Sequence, residues 1–385
     1  MKKFLAAFAA VALVLTGSSF AAETPSAASG TALTVNAASA VLMEKETGQI
    51  LYENNAHERL EPASVTKVMT LLLTFEALDA GKLTLEQPIT ASRHAISMGG
   101  SQIWLKENEQ MPVEEMLKAV CVASANDCSM ALAEHLAGSA DAFVERMNQR
   151  AGELGMNDTN FLNPTGLPAE GHVTSAYDIA LMSRELILRH PDVRRFTTIW
   201  MDTLRNGEFG LSNTNKLIRF YQGATGLKTG STDGALYCLS ATAERDGMEL
   251  IAVILKAPTS TQRFEGAKTL LNYGFAAYAL AQAQPPQPLD PIPVELGDAP
   301  SVNVRLEGDA MILAAKEKVK AMEVAVELEE TLSAPVEEGQ QVGRMVVTSG
   351  GETLAELPLV AEKTVSRLTY WQILERCLKT AFMGG

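Results

Sequence analysis

Between residues 38 and 281 the apolar pattern changes period twice, and the order of those changes does most to limit the fold of this 385-residue chain. Ala40-Val41-Leu42-Met43 and Gln49-Ile50-Leu51-Tyr52 flank Glu46-Thr47-Gly48, which is a hairpin signal. From Ala63 to Asp79 the residues Val65, Val68, Met69, Leu72, Phe75 and Leu78 recur at helical spacing, with Pro62 before the helix and Gly81 after it. Helical pattern continues over 112–137, 139–154 and 175–189. Strand pattern returns at 225–229, 235–243 and 249–255, with Asp246-Gly247 as a hairpin turn, and a helix follows from Glu265 to Ala281. Strands at both ends with helices between them predict an α+β domain: an antiparallel sheet whose helices come mostly from a central insertion.

Composition shifts at 282–293, where Pro285, Pro286, Pro288, Pro291 and Pro293 make a linker. Val302–Leu306, Val324–Leu328 and Val342–Thr348 then read as strands, and Gly350-Gly351 leads to a last one through Leu354–Leu359. Residues 294–362 are therefore expected to form a small all-β, sandwich-like domain. The tail, 363–385, is amphipathic: Leu368, Trp371, Leu374, Cys377 or Leu378, and Phe382 line one helical face, with Arg367, Arg376 and Lys379 elsewhere. Such a helix suits a membrane surface, a dock on its own β-domain or a dimer contact, and the first is expected here because an export signal precedes the chain. At the N-terminus Lys2 and Lys3, an apolar run from Phe4 to Leu15 and Ser19-Phe20-Ala21 give residues 1–21 the form of a signal peptide, with a small-residue linker over 22–37. The expected location is extracytoplasmic, on the outer face of the cytoplasmic membrane.

Several function classes are excluded early. Lys plus Arg number 32 against 46 Asp plus Glu, a formal net charge of −14, so nucleic acid is not an expected partner. The five histidines show no HExxH or paired-ligand spacing, so neither a metal nor any other cofactor is expected. Cys121, Cys128, Cys238 and Cys377 include no CxxC. Cys121 and Cys128, two helical turns and about 10 Å apart, read as core hydrophobes.

Three short motifs carry chemistry. Ser64-Val65-Thr66-Lys67 opens the first strong helix, and i, i+3 spacing lets the Ser64 hydroxyl meet the Lys67 amine. A serine becomes a nucleophile through a base, and lysine is that base only where burial, a helix N-terminus or another cation lowers its pKa. Alone the motif is weak, since a chain this long shows about one by chance. Ser124-Ala125-Asn126 is weaker still, matched also by Ser301-Val302-Asn303, and fits a helix cap or turn equally well. Lys228-Thr229-Gly230 ends a predicted strand and occurs by chance in about one chain in ten. It reads either as a plain turn or as a positive field, a hydroxyl for a carboxylate, and room for a substrate strand at the sheet edge.

In this order, and on these elements, the three motifs resemble the SxxK, SxN and KTG set of penicillin-recognising serine acyl-transferases. Longer segments are similar to the low-molecular-weight penicillin-binding D-alanyl-D-alanine carboxypeptidases: Ala63–Lys67, Val122–Asp127, Gly226–Gly230, Leu154-Gly155-Met156 through Asn163–Leu167, and Ser175–Asp178. In the β-domain, Ala334-Pro335-Val336, Gly339–Gly343 and Leu357–Val360 extend the resemblance. It implies a transpeptidase or β-lactamase-like catalytic domain over 38–281. It also implies Ser64 as nucleophile, Lys67 as its base and Ser124 as relay to the leaving amine. Asn126 would hold the substrate amide, Lys228 would supply positive potential and Thr229 would bind the terminal carboxylate. The N–H groups of Ser64 and Ser231 would form the oxyanion hole, with Arg263 near the carboxylate. The implied substrate is a peptidoglycan stem peptide ending in D-Ala-D-Ala, and β-lactam antibiotics are the implied covalent inhibitors.

Two departures stand out. Thr214 occupies a place where some relatives carry arginine, with Lys216 nearby to compensate. Thr159 stands where a β-lactamase ExxLN motif needs glutamate, so a penicilloyl enzyme is expected to persist. An endopeptidase cutting cross-links with the same residues, a β-lactamase and a non-catalytic wall scaffold are the competing readings.

Overall fold

The computed structural model describes residues 33–383, so the expected signal peptide and the first part of the linker lie outside the described residues. Five antiparallel strands make the main sheet: β1 (Ser39–Glu44), β2 (Ile50–Asn54), β3 (Ala224–Thr232), β4 (Leu236–Arg245) and β5 (Met248–Ala257). Their spatial order is β2-β1-β5-β4-β3, so the two sequence-distant hairpins join through β1 and β5 and leave β3 at an edge. Asp246 and Gly247 both have positive φ, 51° and 77°, the mirror-image turn that matches the twist of a two-residue hairpin.

The longer helices between β2 and β3 are α1 (Lys67–Asp79), α2 (Asn126–Ala137), α3 (Ala140–Glu153) and α4 (Ala176–Arg189); α5 (Ser260–Ala277) follows β5. Ser139, Ser175 and Thr259 cap α3, α4 and α5 with their hydroxyls. One apolar core unites Val41 and Met43 of β1, Leu72 and Phe75 of α1, Leu132 of α2 and Ile179 of α4. The α+β class read from the sequence is the observed one.

The expected helix over 112–137 is broken. A helix at Val113–Lys118 widens into a π-type turn at Ala119–Ala123, and Ser124 then takes a left-handed φ of 63° before α2 begins. Cys121 and Cys128 therefore lie on either side of a break rather than on one helix; both are buried, unpaired thiols. The expected helix to Ala281 ends at Ala277, because Tyr278–Gln282 pairs as a strand with Met311–Ala315. The proline-rich stretch thus begins on a strand residue, Gln282, and closes inside the strand Ile292–Glu295.

Beyond it, Met322–Leu328, Gln341–Ser349, Glu352–Ala361 and Val304–Leu306 make a four-stranded antiparallel sheet, and a smaller sheet centres on Ile292–Glu295. Two apolar clusters fill this domain, one around Val336 and one around Val347. A terminal helix, α6 (Tyr370–Met383), follows. No described helix is long and apolar enough to cross a membrane.

Glu249 of β5, a fully buried carboxylate of the main sheet, accepts from the Thr225 hydroxyl at 2.7 Å and pairs with Arg194 and Lys45. Removing one partner of a buried ionic group strands the others. Glu249→Ala is expected to cost about 2–3 kcal/mol, discounted from the fully buried case because both cations keep some exposure. Urea unfolding checks this, as a lower midpoint at an unchanged slope.

Candidate active site

The site begins where chain sterics are tightest. Ala63–Thr66 forms a single 3₁₀ turn that runs into α1, and Ala63 holds a left-handed φ of 49°. Two glycines close on this turn from opposite elements. A Cβ at Gly166 would fall 1.8 Å from the Ala63 carbonyl oxygen, and one at Gly230 would fall 2.8 Å from the Ser64 nitrogen and 2.9 Å from the Pro62 carbonyl. The glycine of Lys228-Thr229-Gly230 is thus required by close backbone approach, as is the glycine of Asn163–Leu167.

Ser64 is half-buried, and one helical turn on Lys67 is fully buried. Lys67 Nζ lies 3.0 Å from Ser64 Oγ and donates 2.6 Å to the Thr165 carbonyl. Burial first, and the nearby positive Lys228 second, push the Lys67 amine well below its usual pKa, while buried Asp127 opposes them. The sequence reading gave Thr165 no role. A helix side chain and a buried histidine hold its loop in place. Thr70 Oγ1 donates 2.7 Å to the Pro164 carbonyl, and Asn163 Oδ1 accepts from the backbone N–H groups of Thr165 and Gly166. His172 Nδ1 accepts from the Leu162 N–H at 3.0 Å, so its proton sits on Nε2, which donates 2.8 Å to Thr66 Oγ1. Burial lowers the His172 pKa to about 4 and keeps it neutral.

The break at Ser124 presents the second motif. Asn126 Nδ2 donates 2.6 Å to the Gly99 carbonyl, and its backbone N–H donates 2.7 Å to Ser101. Next to it, buried Asp127 accepts from the backbone N–H groups of Ile103, Leu105 and Cys128, fixing the 99–105 segment as a wall beside Asn126. Ser124 Oγ and Asn126 Oδ1 are both buried without a hydrogen-bond partner. An unmet buried acceptor or hydroxyl costs about 1–3 kcal/mol, a cost that a ligand can relieve.

The third motif lies on edge strand β3. Lys228 is buried and donates 2.9 Å to the Thr229 carbonyl. Burial, with a contribution from Arg263, lowers its pKa to about 7. Thr229 Oγ1 donates 2.7 Å to Thr214 Oγ1, and the Thr214 N–H donates 3.1 Å to the Val122 carbonyl. Thr214, read from the sequence as a departure, therefore ties the strand to the Ser124 segment. Ser231 is exposed, as is Lys216.

Arg263, read as lying near a substrate carboxylate, is 6% exposed and already engaged: Nη1 donates to the Gly230 and Cys238 carbonyls at 3.1 and 3.3 Å, and Nη2 to Ser260 Oγ at 3.2 Å. Its Nη1 is therefore held by two backbone carbonyls and its Nη2 by a side-chain hydroxyl. Thr159 is likewise committed, donating 2.7 Å to Asp178 and lying 2.7 Å from the Thr174 hydroxyl.

A serine paired with a buried, pKa-lowered lysine, walled by an SxN turn and a lysine-bearing sheet edge, defines a penicillin-binding, transpeptidase-like serine hydrolase fold. Comparison with known proteins narrows this. Residues 22–259 match the D-alanyl-D-alanine carboxypeptidase family, and residues 286–367 match the penicillin-binding protein 5 C-terminal domain. D-alanyl-D-alanine carboxypeptidase DacF of Bacillus subtilis (strain 168) is 41% identical over 347 residues, 89% of each chain. DacC of Escherichia coli (strain K12) is 32% identical, covering 94% of this chain and 91% of its own. The crystal structure of penicillin binding protein 5 from Haemophilus influenzae superposes with a TM-score of 0.78 at 31% identity, over 87% of this chain and 98% of that one. The chain belongs to the D-alanyl-D-alanine carboxypeptidase family and is a serine-type D-Ala-D-Ala carboxypeptidase.

The two lysines set opposite limbs of a pH profile. On the roles the motifs imply, Lys67 would act as a base once neutral, so kcat/KM is expected to rise from the acid side as it loses its proton. Lys228 supplies charge only while protonated, so the alkaline limb should start near its pKa of about 7 in the free enzyme. In Lys228→Arg, which stays charged, the alkaline limb should move up by about two pH units or more. A kcat/KM profile for D-alanine release between pH 5 and 10 checks this.

Proposed function

We propose that this enzyme trims the terminal D-alanine from peptidoglycan stem peptides through an acyl-enzyme on Ser64. The single observation that carries the reading is Lys67: a fully buried amine, 3.0 Å from the Ser64 hydroxyl, held below its usual pKa. In acylation, Ser64 Oγ bonds to the carbonyl carbon between the two D-alanines while its proton passes to Lys67. The N–H groups of Ser64 and Ser231 stabilise the oxyanion. As the C–N bond breaks, Ser124 relays a proton to the leaving amine, and Asn126 holds the substrate amide through its unmet Oδ1. Thr229 binds the terminal carboxylate in the positive field of Lys228. Water then cleaves the ester, and Ser64 and Lys67 return to their starting states.

A β-lactam offers the same carbonyl and carboxylate but leaves no departing group to clear the site. Thr159 provides no carboxylate base, and its hydroxyl is tied to Asp178, which supports a long-lived penicilloyl enzyme rather than fast antibiotic hydrolysis. Intact mass after incubation with penicillin, together with D-alanine release from a D-Ala-D-Ala peptide, tests the reading. A persistent adduct at Ser64 is expected, with release reduced at least about 10³-fold in Ser64→Ala. A folded enzyme giving neither adduct nor release would overturn it.

The same proposal places the enzyme outside the cytoplasmic membrane and on its surface. Support comes from the signal-like residues 1–21 and from α6, where Tyr370 and Trp371 are 72% and 74% exposed and Leu374 and Leu378 are also open to solvent. Replacing Trp371, Leu374 and Leu378 together by Glu is expected to weaken co-sedimentation of the mature chain with anionic lipid vesicles by about tenfold or more. D-alanine release from a soluble peptide should be unchanged.

A further inference from the structure

Arg263 sits where a cation is poorly served. It is the fourth residue of α5, at the positive end of that helix's dipole, and it is almost wholly buried with Nε unpartnered. Desolvation lowers its pKa only to about 10, so it remains charged at neutral pH. The guanidinium packs 4.5 Å from the Phe264 ring centroid and 5.5 Å from that of Tyr237, and three hydrogen bonds lock it in plane. Nη1 bridges the carbonyls of Gly230 and Cys238, a register pair across β3 and β4.

The Gly230 carbonyl belongs to the same peptide group as the Ser231 N–H. That peptide is trans, so carbonyl and N–H point in opposite directions. Drawing the carbonyl down onto Arg263 therefore aims the Ser231 N–H away from the sheet interior. A charge-assisted bond to the carbonyl also polarises the amide and makes its N–H a stronger donor. Gly230 in turn lies against the Ser64 nitrogen, so the braced peptide sits beside the other proposed oxyanion donor.

We infer that Arg263 is a positioning residue for the oxyanion hole: through the Gly230 carbonyl it orients and polarises the Ser231 N–H, rather than contacting the substrate carboxylate. This rests on the acyl-enzyme reading above and adds a role for a residue behind the strand. It differs from carboxylate recognition in what it responds to. An oxyanion device acts on every acyl donor, with or without a terminal carboxylate, and depends on the atom that becomes the anion.

The test compares wild type and Arg263→Gln on three N-acyl-D-alanyl esters: one with a carboxylate on the leaving group, one without, and the thiono form of the first, whose C=S accepts hydrogen bonds poorly. In the variant, acylation of both oxygen esters should fall about 10- to 100-fold by similar factors, less than the 10²–10³ for deleting a donor outright. The oxygen-to-sulfur rate ratio should shrink towards one, a readout that simple loosening of the fold would not move. Arg263→Lys, which reaches one carbonyl without bracing two, should fall between; it takes the same measurements if Arg263→Gln does not fold. A loss confined to the carboxylate-bearing ester, with an unchanged oxygen-to-sulfur ratio, would overturn the inference in favour of direct carboxylate binding. Wild type inactive on every ester would instead overturn the acyl-enzyme reading.

Discussion

Everything at this site depends on keeping an amine dry. A lysine exposed to water holds its proton near pH 10 and cannot take one from serine at neutral pH. Lys67 avoids that by complete burial on the first turn of α1, with a carbonyl and a hydroxyl as its close partners. A carboxylate in hydrogen-bond contact would have restored the proton. The nearest buried acid, Asp127, gives its oxygens to three backbone N–H groups instead. The low pKa is therefore a property of the packing and not of any one neighbour.

That packing explains why elements distant in sequence are fixed so firmly around one turn. The Asn163–Leu167 loop carries the carbonyl that Lys67 needs, and Thr70, Asn163 and His172 hold it there. The edge strand must come close enough to place its own amide beside Ser64, and a side chain at Gly230 would prevent this. Placing β3 at the edge leaves half of its backbone groups free of sheet pairing, where a substrate strand can lie. The insertion between the two hairpins is thus the means by which α1 and the 163–167 loop reach the sheet edge.

Much of this was legible in the residues themselves. Alternation and helical spacing located the strands of the main sheet and α1, and motif order singled out Ser64, Lys67, Ser124 and Lys228 as candidates. What the sequence hid has a common cause. Ser124-Ala125-Asn126 fits a cap or turn, but its residue types do not specify a left-handed break at Ser124. Tertiary bonds sustain it: Asn126 N–H to Ser101, Ala125 N–H to Ala119 and Thr214 N–H to Val122. Tyr278–Ala281 likewise has helical character yet pairs with Met311–Ala315. The Thr165 carbonyl could not be found from residue type, since every residue has one. Arg263 stands out in its motif, but the motif does not show that its guanidinium bonds to the Gly230 and Cys238 carbonyls.

The electrostatic arrangement has a further consequence. The chain carries a net charge of −14, yet Lys67, Lys228 and Arg263 are gathered in one buried region. Burial lowers the pKa of both lysines, and charge adds to it: Lys228 acts on Lys67, and Arg263 acts on Lys228. In the proposed mechanism, a substrate carboxylate at Thr229 would favour the charged form of Lys228, the lysine of that strand. A charged Lys228 adds to the burial that disfavours a proton on Lys67. In that mechanism the two lysines divide into one that attracts and one that abstracts. Identical side chains, both buried, would then take opposite roles because only one of them lies on the strand proposed to hold the carboxylate.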